Sequence, residues 1–346
     1  MHHTYALTAG SPSSWALVLY SRGVIQKKSL ARRDQNVCIH LNGSAASNDA
    51  TDDILLPTFE VAMKRMMEET HMPEATLHDG STIEIEVHGT GPTLLLPVNP
   101  QPVIGPQAEQ MRQYGTDPAL GQSLIKGLSD AFRVVAFDYE GQCLRRPKPD
   151  TLTPANTAND LLAVADAAEA DRFAYYGYSW LAMIGLQLAI RTDRLWALIM
   201  GGFPPLNGPY EEMFRVTTAT YEMASGARAT TTAEESEWSG MALSRDQTRQ
   251  FVTLYQALQG FDDRAAQAQI TCPRLCFVGS ADEIQYDQHW GNVTVSLAGP
   301  IVQGQAQLWD LGWDVRVLDG LDHIQAMQAK QVVPILRSWL APTLGS

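Results

Sequence analysis

Three residues of the chain, Ser179, Asp282 and His323, are of the types that act together as nucleophile, acid and base. A serine hydroxyl attacks a carbonyl carbon when an imidazole takes its proton and a carboxylate holds that imidazole in the required tautomer. The residues follow one another in the order Ser, Asp, His, and the serine lies in "YYGYSWLA" at 175–182. This set predicts covalent chemistry on an acyl carbon, which requires neither a metal nor an organic cofactor.

The sequence around Ser179 predicts a sharp, strained turn. Apolar "FAYY" precedes Gly177, and the amphipathic stretch "LAMIGLQLAI" follows Trp180. A strand that ends in a turn and begins a helix holds such a serine in strained backbone at the carboxyl end of a sheet. The N–H groups and positive dipole at the start of the helix favour the anion that forms when a carbonyl is attacked. Ser179 is therefore the predicted nucleophile.

Two histidines follow the serine, and their positions differ. His323 comes directly after the last apolar strand pattern, whereas His289 lies in a predicted loop, about 285–300, that also interrupts the alternation of strands and helices. We therefore predict His323 as the base. Asp282 follows another predicted strand by four residues, on a loop that points the same way as the serine turn, and is the predicted acid. Its neighbour Glu283 is the alternative acid.

The elements that would position these residues alternate along the chain. "STIEIEVHG" shows the period of two that is typical of a half-buried strand, and "TGPTLLLPV" is a short buried run bounded by Gly and Pro. Continuous apolar strands separated by helical patterns predict a mostly parallel sheet with helices on both faces. Strands are predicted at 132–137, 173–176, 197–200, 275–278 and 315–318, and helices include 157–168 and 180–191.

A long segment without a strand pattern interrupts this alternation. Residues 204–271 are rich in helix formers and aromatic residues, and we interpret them as a helical cap inserted between the two parts of the core, 75–203 and 272–346. A few cap aromatics are expected to face the site and make it apolar. Tyr178 and Trp180 flank the serine, and we predict that both border the substrate pocket, with Tyr178 mainly in packing.

These motifs together resemble the α/β-hydrolase fold over residues 75–341, about three quarters of the chain. The resemblance rests on "LHDGSTIEIEVHGTGPTLLLPV", "FRVVAFDYEGQ", "FAYYGYSWLA", "LCFVGSADE" and "LDGLDH". It implies an oxyanion hole built from the backbone N–H of Trp180 and one from the loop after the third strand. That loop is usually His-Gly and is Pro-Val-Asn-Pro here, so Val98 or Asn99 would donate.

The chain departs from the family pattern at the serine turn and after the fourth strand. Leu181 replaces the second glycine of the turn, whose role is to let the helix lie close to its neighbours, and Ala182 beside it is expected to relieve part of the crowding. Cys143 and Arg145 stand where the family usually has Gly and Ser. None of these changes removes a member of the Ser, Asp and His set.

Composition limits the class of partner. The chain has 346 residues, 45% of them hydrophobic, and a formal net charge of −13 from 25 basic and 38 acidic residues. We therefore expect neither nucleic acid nor a membrane as a partner. The Ser, Asp and His set predicts a small-molecule acyl substrate, and the chain forms either a monomer or a homodimer. Four scattered cysteines and the lack of an apolar run of about 20 residues predict a soluble cytoplasmic protein with reduced thiols.

The N-terminal region has a different composition. Residues 1–50 contain five basic residues and no acid before Asp34, which is typical of an organellar transit peptide, a disordered tail or a misplaced start codon. Residues 51–74 are predicted to form a helix that leads into the core.

The sequence thus predicts a serine hydrolase that cleaves an ester, lactone, thioester or related acyl bond of a small, largely apolar molecule. The alternative is a non-hydrolytic ligand-binding protein or an acyltransferase of the same fold, which the altered oxyanion loop and Leu181 motivate.

Overall fold

The computed structural model of the chain describes residues 73–226 and 243–343. The predicted N-terminal extension, 1–50, lies outside the described residues. So does the predicted helix over 51–74 except for its last two positions, and there Glu74 already belongs to a strand. None of the helices in the described ranges is long and apolar enough to cross a membrane.

Eleven strands occur in the described ranges, and seven of them form one sheet in the order β11-β8-β7-β6-β4-β5-β3. Every neighbouring pair in that sheet is parallel except β3 with β5. The predicted parallel sheet is therefore confirmed. The strands are β1 (Glu74–Thr76), β2 (Thr82–Glu84), β3 (Glu86–His88), β4 (Thr93–Leu96), β5 (Arg133–Ala136), β6 (Phe173–Tyr178), β7 (Leu195–Gly201), β8 (Arg274–Gly279), β9 (Glu283–Gln285), β10 (Thr294–Ser296) and β11 (Trp313–Leu318).

The first predicted strand, "STIEIEVHG", is divided in two. β2 pairs with β1 in a separate antiparallel hairpin, whereas β3 joins the large sheet. Ile85, between them, is fully buried, and its N–H donates a hydrogen bond to the carbonyl of Pro73. The chain turns at Ile85 because this bond ties it to the start of β1 instead of to the sheet.

Twelve α-helices accompany the strands in the described ranges, and they cover both faces of the sheet. β4 illustrates why, since successive side chains of a strand point to opposite faces and Leu94, Leu95 and Leu96 are all buried. Leu94 and Leu96 belong to one core cluster, and Leu95 belongs to the other. The helices are α1 (Pro106–Gln113), α2 (Leu120–Leu128), α3 (Tyr139–Arg145), α4 (Pro154–Ala167), α5 (Trp180–Ala189), α6 (Tyr210–Ala224), α7 (Arg245–Gln256), α8 (Asp263–Ala266), α9 (Ala298–Gln303), α10 (Gln305–Asp310), α11 (His323–Ala326) and α12 (Ala329–Thr343).

The described part of the predicted cap, 204–271, is helical, and its helices α6 and α7 pack against each other. Residues 227–242 of that segment lie outside the described residues. The second interruption, predicted as a loop over 285–300, has regular structure instead. β9 and β10 form an antiparallel pair there, and α9 begins within the same segment.

The segment after β5, which borders the site, is fixed by Gln250 of α7 and by a buried lysine. The Gln250 side chain accepts a hydrogen bond from the N–H of Lys148 (3.1 Å) and donates one to the carbonyl of Cys143 (3.2 Å). The side chain of Lys148 is fully buried and forms an ion pair with Asp79 in the turn between β1 and β2. A buried ammonium group needs such a partner, because an unpaired charge in the interior is strongly destabilising.

We expect Asp79→Asn to lower the free energy of unfolding by about 3 kcal/mol, because it leaves the Lys148 ammonium buried without its counter-charge. In a Lys148→Met background the same change is expected to cost less than about 1 kcal/mol, since no buried charge is left behind. Urea unfolding of the four proteins measures both losses. Equal losses in the two backgrounds would show that the ion pair contributes nothing.

The same pair predicts a dependence of stability on pH. Burial acts to raise the pKa of Asp79, but hydrogen bonds from Lys148 and Ser81 outweigh it and lower this pKa from 3.8 to about 2. A carboxylate with a lowered pKa stabilises the folded state above its unfolded pKa, and this contribution disappears as the pH falls toward 2. Between pH 4 and pH 2 we therefore expect the wild type to lose more stability than Asp79→Asn, as measured by urea unfolding. Parallel losses would contradict this prediction.

Candidate active site

Ser179 occupies the turn between β6 and α5 with φ of 57° and ψ of −131°. A positive φ is strained for a residue with a side chain, so the predicted strained turn is confirmed. Gly177 explains how the chain turns so tightly, since a Cβ there would overlap the carbonyl oxygen of Leu181. Ser179 is 5% exposed and borders a pocket, where a bound molecule can reach it.

The structure pairs the predicted acid and base. Nδ1 of His323 lies 2.8 Å from Oδ2 of Asp282, and both side chains are buried. Asp282 follows β8 and His323 begins α11 after β11, so the two residues come from the carboxyl ends of neighbouring strands. The alternative acid, Glu283, is exposed. The second histidine, His289, pairs with Asp287 instead (3.0 Å).

Hydrogen bonds also fix the backbone of Asp282. Its carbonyl oxygen accepts hydrogen bonds from the N–H groups of Leu297 (3.1 Å) and Ala298 (2.9 Å). These bonds tie the acid loop to the segment between β10 and α9, which the sequence predicted as a plain loop. The segment therefore helps to position Asp282.

Tyr178 connects the serine strand to the histidine loop. Its hydroxyl donates a hydrogen bond to the backbone carbonyl of His323 (2.7 Å), and the two rings lie 5.0 Å apart between centroids. Burial, with a smaller contribution from the negative charge of Asp282, raises the pKa of Tyr178 well above 10, so the phenol stays protonated as a donor. Tyr178 also borders the pocket, as predicted.

The loop after β4 can offer fewer oxyanion donors than the sequence suggested. The N–H of Val98 donates to the carbonyl of Leu96 (2.8 Å), and the N–H of Gln101 donates to the side-chain oxygen of Asn99 (3.0 Å). The two prolines of the loop have no N–H. The predicted donor Val98 is therefore wrong, because its N–H bonds within a tight turn. Asn99 is the loop residue whose N–H fits the predicted role.

The predicted role of the Trp180 ring in the pocket is also wrong. The side chain is 1% exposed and packs between Tyr139 of α3 (6.2 Å) and Phe251 of α7 (5.5 Å, edge to face). It belongs to the hydrophobic core and not to the pocket wall. Its backbone N–H is nevertheless in the first turn of α5, where helix geometry provides no partner within the helix.

The pocket beside Ser179 encloses about 80 Å³ and lies between the loop after β4, α2 and the start of α11. The residues of 204–271 that the structure describes do not line it, so the predicted cap aromatics that face the site are not part of this wall. Sequence analysis missed four polar wall residues, Gln101, Thr116, Asp117 and Glu140. Glu140 could have been found from its place just after β5. Apolar wall residues include Leu96, Val98, Leu120, Leu124, Leu181, Ile324 and Met327.

Comparison with known proteins gives weak sequence similarity and clear structural similarity. No protein-family model matches the chain. The curated protein "Putative carbamate hydrolase RutD" of Klebsiella pneumoniae (strain 342) is 29% identical over 177 residues, 45% of this chain and 66% of that protein. The same protein of Klebsiella variicola (strain At-22) matches equally well. The chain thus spans just under two thirds of the length of these relatives.

Two solved esterases are similar over most of the chain. The thermophilic esterase of Thermogutta terrifontis aligns with a TM-score of 0.52 at 18% identity, covering 79% of this chain and 99% of that one. The esterase EaEST of Exiguobacterium antarcticum aligns with a TM-score of 0.50 at 15% identity, covering 79% and 100%. The chain has the α/β-hydrolase fold.

In this chain a different glycine compensates for the missing second glycine of the serine turn. The Leu181 side chain extends into the pocket wall, and its carbonyl accepts a hydrogen bond from the hydroxyl of Tyr175 (2.8 Å). Close approach of α5 to the sheet occurs one turn later. A Cβ at Gly185 would lie 2.8 Å from the Tyr175 ring, so Gly185 supplies the space that the family usually obtains at the position of Leu181.

No group of three or more His, Cys, Asp or Glu side chains within residues 73–226 and 243–343 could hold a metal ion.

Gly121 of α2 allows close approach of the loop after β4, because a Cβ at this position would overlap the carbonyl oxygen of Asn99. Alanine normally stabilises a helix relative to glycine by about 1 kcal/mol. We expect Gly121→Ala to do the opposite and lower the free energy of unfolding by about 1–3 kcal/mol, through overpacking.

Urea unfolding of Gly121→Ala measures this effect. Gln122→Ala, at an exposed position of the same helix, is the control and should change stability by less than about 0.5 kcal/mol. An increase in stability for Gly121→Ala would contradict the close contact with the Asn99 loop.

Proposed function

We propose that the protein is a serine hydrolase that cleaves an acyl bond of a small molecule through Ser179, His323 and Asp282. The observation that carries the proposal is the buried 2.8 Å contact between His323 Nδ1 and Asp282 Oδ2, at the same sheet edge as the strained Ser179 turn. An isolated serine, histidine or aspartate at a strand end has ordinary structural explanations. Their convergence at one edge, in the order typical of this fold, favours catalysis.

The proposed reaction begins with attack of Ser179 Oγ on the acyl carbon. His323 Nε2 takes the hydroxyl proton, and Asp282 accepts a hydrogen bond from Nδ1–H and stabilises the imidazolium that forms. The oxyanion is stabilised by the N–H groups of Trp180 and Asn99, together with the positive end of the α5 dipole. His323 then protonates the leaving group, and an acyl-enzyme remains on Ser179.

Hydrolysis of the acyl-enzyme completes the proposed cycle. His323, now neutral, takes a proton from water as the water oxygen attacks the acyl carbon, and it returns that proton to Ser179 Oγ when the acid leaves. The hydrogen bond from Tyr178 to the His323 carbonyl supports these proton transfers, because it holds the loop that carries His323 against the strand that ends at Ser179. Tyr178 acts in the proposal as a positioning residue.

The mostly apolar pocket supports a small, largely apolar acyl substrate. An ester, lactone or thioester fits the proposed chemistry, and the names of the similar proteins add carbamates to the candidate bonds. We propose that 204–271 acts as a cap above the core, supported by the contact between Phe251 of α7 and the Trp180 ring. A cytoplasmic location and a small-molecule partner complete the proposal.

One observation favours a second candidate, a ligand-binding member of the fold. Since the Val98 N–H bonds to Leu96, the loop after β4 contributes a single backbone donor at Asn99. The oxyanion hole then depends on this one loop donor beside Trp180, and its misplacement would lower the rate of acyl transfer by about 10²- to 10³-fold. Reaction of Ser179 with a mechanism-based probe distinguishes catalysis from binding alone.

We expect a fluorophosphonate probe to label the wild type and to leave Ser179→Ala unlabelled, because the probe phosphonylates only an activated serine. Asp282→Asn is expected to slow labelling by about 10³- to 10⁴-fold, since the imidazole loses its required tautomer. Gel fluorescence and intact mass spectrometry measure both effects. The control Ser338→Ala, at an exposed helix position, should label at the wild-type rate.

Failure of folded wild-type protein to react with the probe would reject the hydrolase proposal. If the probe labels Ser179 but no p-nitrophenyl ester, lactone or aryl carbamate is hydrolysed, transfer to another nucleophile becomes the better assignment.

A further inference from the structure

A second set of hydroxyl, imidazole and carboxylate lies where the turn between β1 and β2 meets the segment before α4. His78 Nε2 lies 3.0 Å from Thr151 Oγ1, and His78 Nδ1 lies 2.9 Å from Asp160 Oδ2. The carboxylate of Asp160 is fully buried, the side chain of His78 is 12% exposed, and Thr151 is exposed. None of the three residues belongs to the wall of the pocket beside Ser179. The set therefore presents a hydroxyl at the surface, backed by an imidazole and a buried carboxylate.

The hydrogen bonds of Asp160 indicate which nitrogen of His78 carries the proton. Asp160 Oδ1 accepts a hydrogen bond from the backbone N–H of His78 (2.6 Å), and Oδ2 accepts one from the hydroxyl of Tyr139 (2.7 Å). An ionised carboxylate has no proton to donate, so Nδ1–H is the donor in its contact with Oδ2. Nε2 of the neutral imidazole is then an acceptor, and the Thr151 hydroxyl donates to it. His78 can therefore take a proton from Thr151.

The backbone around Thr151 supports the same chemistry. The side chain of Asn156, in the first turn of α4, donates a hydrogen bond to the Thr151 carbonyl (2.9 Å) and holds this residue beside the start of the helix. The N-cap of α4 is Thr153, so the positive end of the helix dipole lies close to Thr151. A positive dipole end favours the negative charge that forms when a hydroxyl attacks a carbonyl group.

We propose that Thr151 is a second acyl-accepting site, which takes the acyl group of small activated donors such as thioesters and aryl esters. Thr151 Oγ1 forms a bond to the acyl carbon while His78 Nε2 takes the hydroxyl proton and Asp160 stabilises the imidazolium. The bond from the acyl carbon to the thiol sulfur or phenol oxygen then breaks, and His78 gives the proton to that leaving group. The products are an O-acyl threonine and a free thiol or phenol, and nothing is oxidised or reduced.

Acetylation by p-nitrophenyl acetate tests this proposal in Ser179→Ala, which lacks the proposed nucleophile of the pocket. Thr294 of β10 is the reference within the same protein, because it is also exposed and forms no hydrogen bond with a histidine in the described ranges. General base catalysis contributes about 10²-fold or more, so Thr151 is expected to be acetylated at least about 10²-fold faster than Thr294. Peptide mapping by tandem mass spectrometry measures both rates.

Substitution of the histidine tests its part in the reaction. In Ser179→Ala with His78→Gln, the rate at Thr151 is expected to fall to within about threefold of that at Thr294, because no imidazole takes the proton. The matched control is Ser179→Ala with His88→Gln, which removes a histidine that is paired with Glu86 (2.9 Å). This control should leave the rate at Thr151 unchanged.

A rate at Thr151 less than about 10²-fold above that at Thr294 would overturn the proposal and leave His78 and Asp160 as a structural link between the turn and α4. So would fast acetylation of Thr151 that persists in His78→Gln. The first comparison is made within one protein, so it does not require His78→Gln to fold.

The result is separate from that of the proposed function, because the assay uses a protein without the Ser179 nucleophile. A secondary hydroxyl on an exposed turn reacts slowly, so the assay uses millimolar ester, whereas the phosphonate probe at micromolar concentration reports on Ser179. Acetylation of Thr151 without labelling of Ser179 by the probe would reject the hydrolase proposal and support this one. Labelling of Ser179 without acetylation of Thr151 gives the reverse result.

Discussion

One steric constraint underlies the arrangement of the site: β6 and α5 meet so closely that only glycine fits at Gly177. The chain must reverse within a single residue, and Ser179 takes the strained backbone that this requires. The strain is held by pairing of β6 with β4 and β7 on its two sides and by the bond from Tyr175 to the Leu181 carbonyl. The loop after β4, the pocket and the histidine loop are all arranged around this turn.

Much of this arrangement could be predicted from local patterns. Parallel strands buried on both faces are continuous apolar runs, so β4 to β8 were recognisable, and their carboxyl ends share one edge of the sheet. That rule alone brings Asp282 and His323 together, although 41 positions separate them in the chain. The start of α5 was equally clear, since it follows its turn directly, whereas α4 begins at Pro154, before the predicted start at 157. The division of the opening strand at Ile85 was not predictable, because it depends on one hydrogen bond to Pro73.

The details of the site were harder to predict, because they depend on which partner each group finds in three dimensions. The sequence shows that Val98 has an N–H but not that Leu96 accepts it. Trp180 lies beside Ser179 in sequence, yet the helix turns its ring toward α3 and α7, where it fills the core. Glu140 has no motif of its own. It is buried in a pocket wall that it shares with the loop after β4, and the two segments are distant in sequence.

The hydrogen bond between Tyr178 and the His323 carbonyl has a consequence for the newly made chain. Synthesis proceeds from the N-terminus, so the turn with Ser179 leaves the ribosome well before β8 and β11, which carry Asp282 and His323. In the proposed mechanism the serine has no base until the last strand has joined the sheet and Tyr178 has bound the histidine loop. Ser179 of the nascent protein would therefore stay chemically inert toward acyl compounds in the cell, and its reactivity would appear only when the sheet is complete.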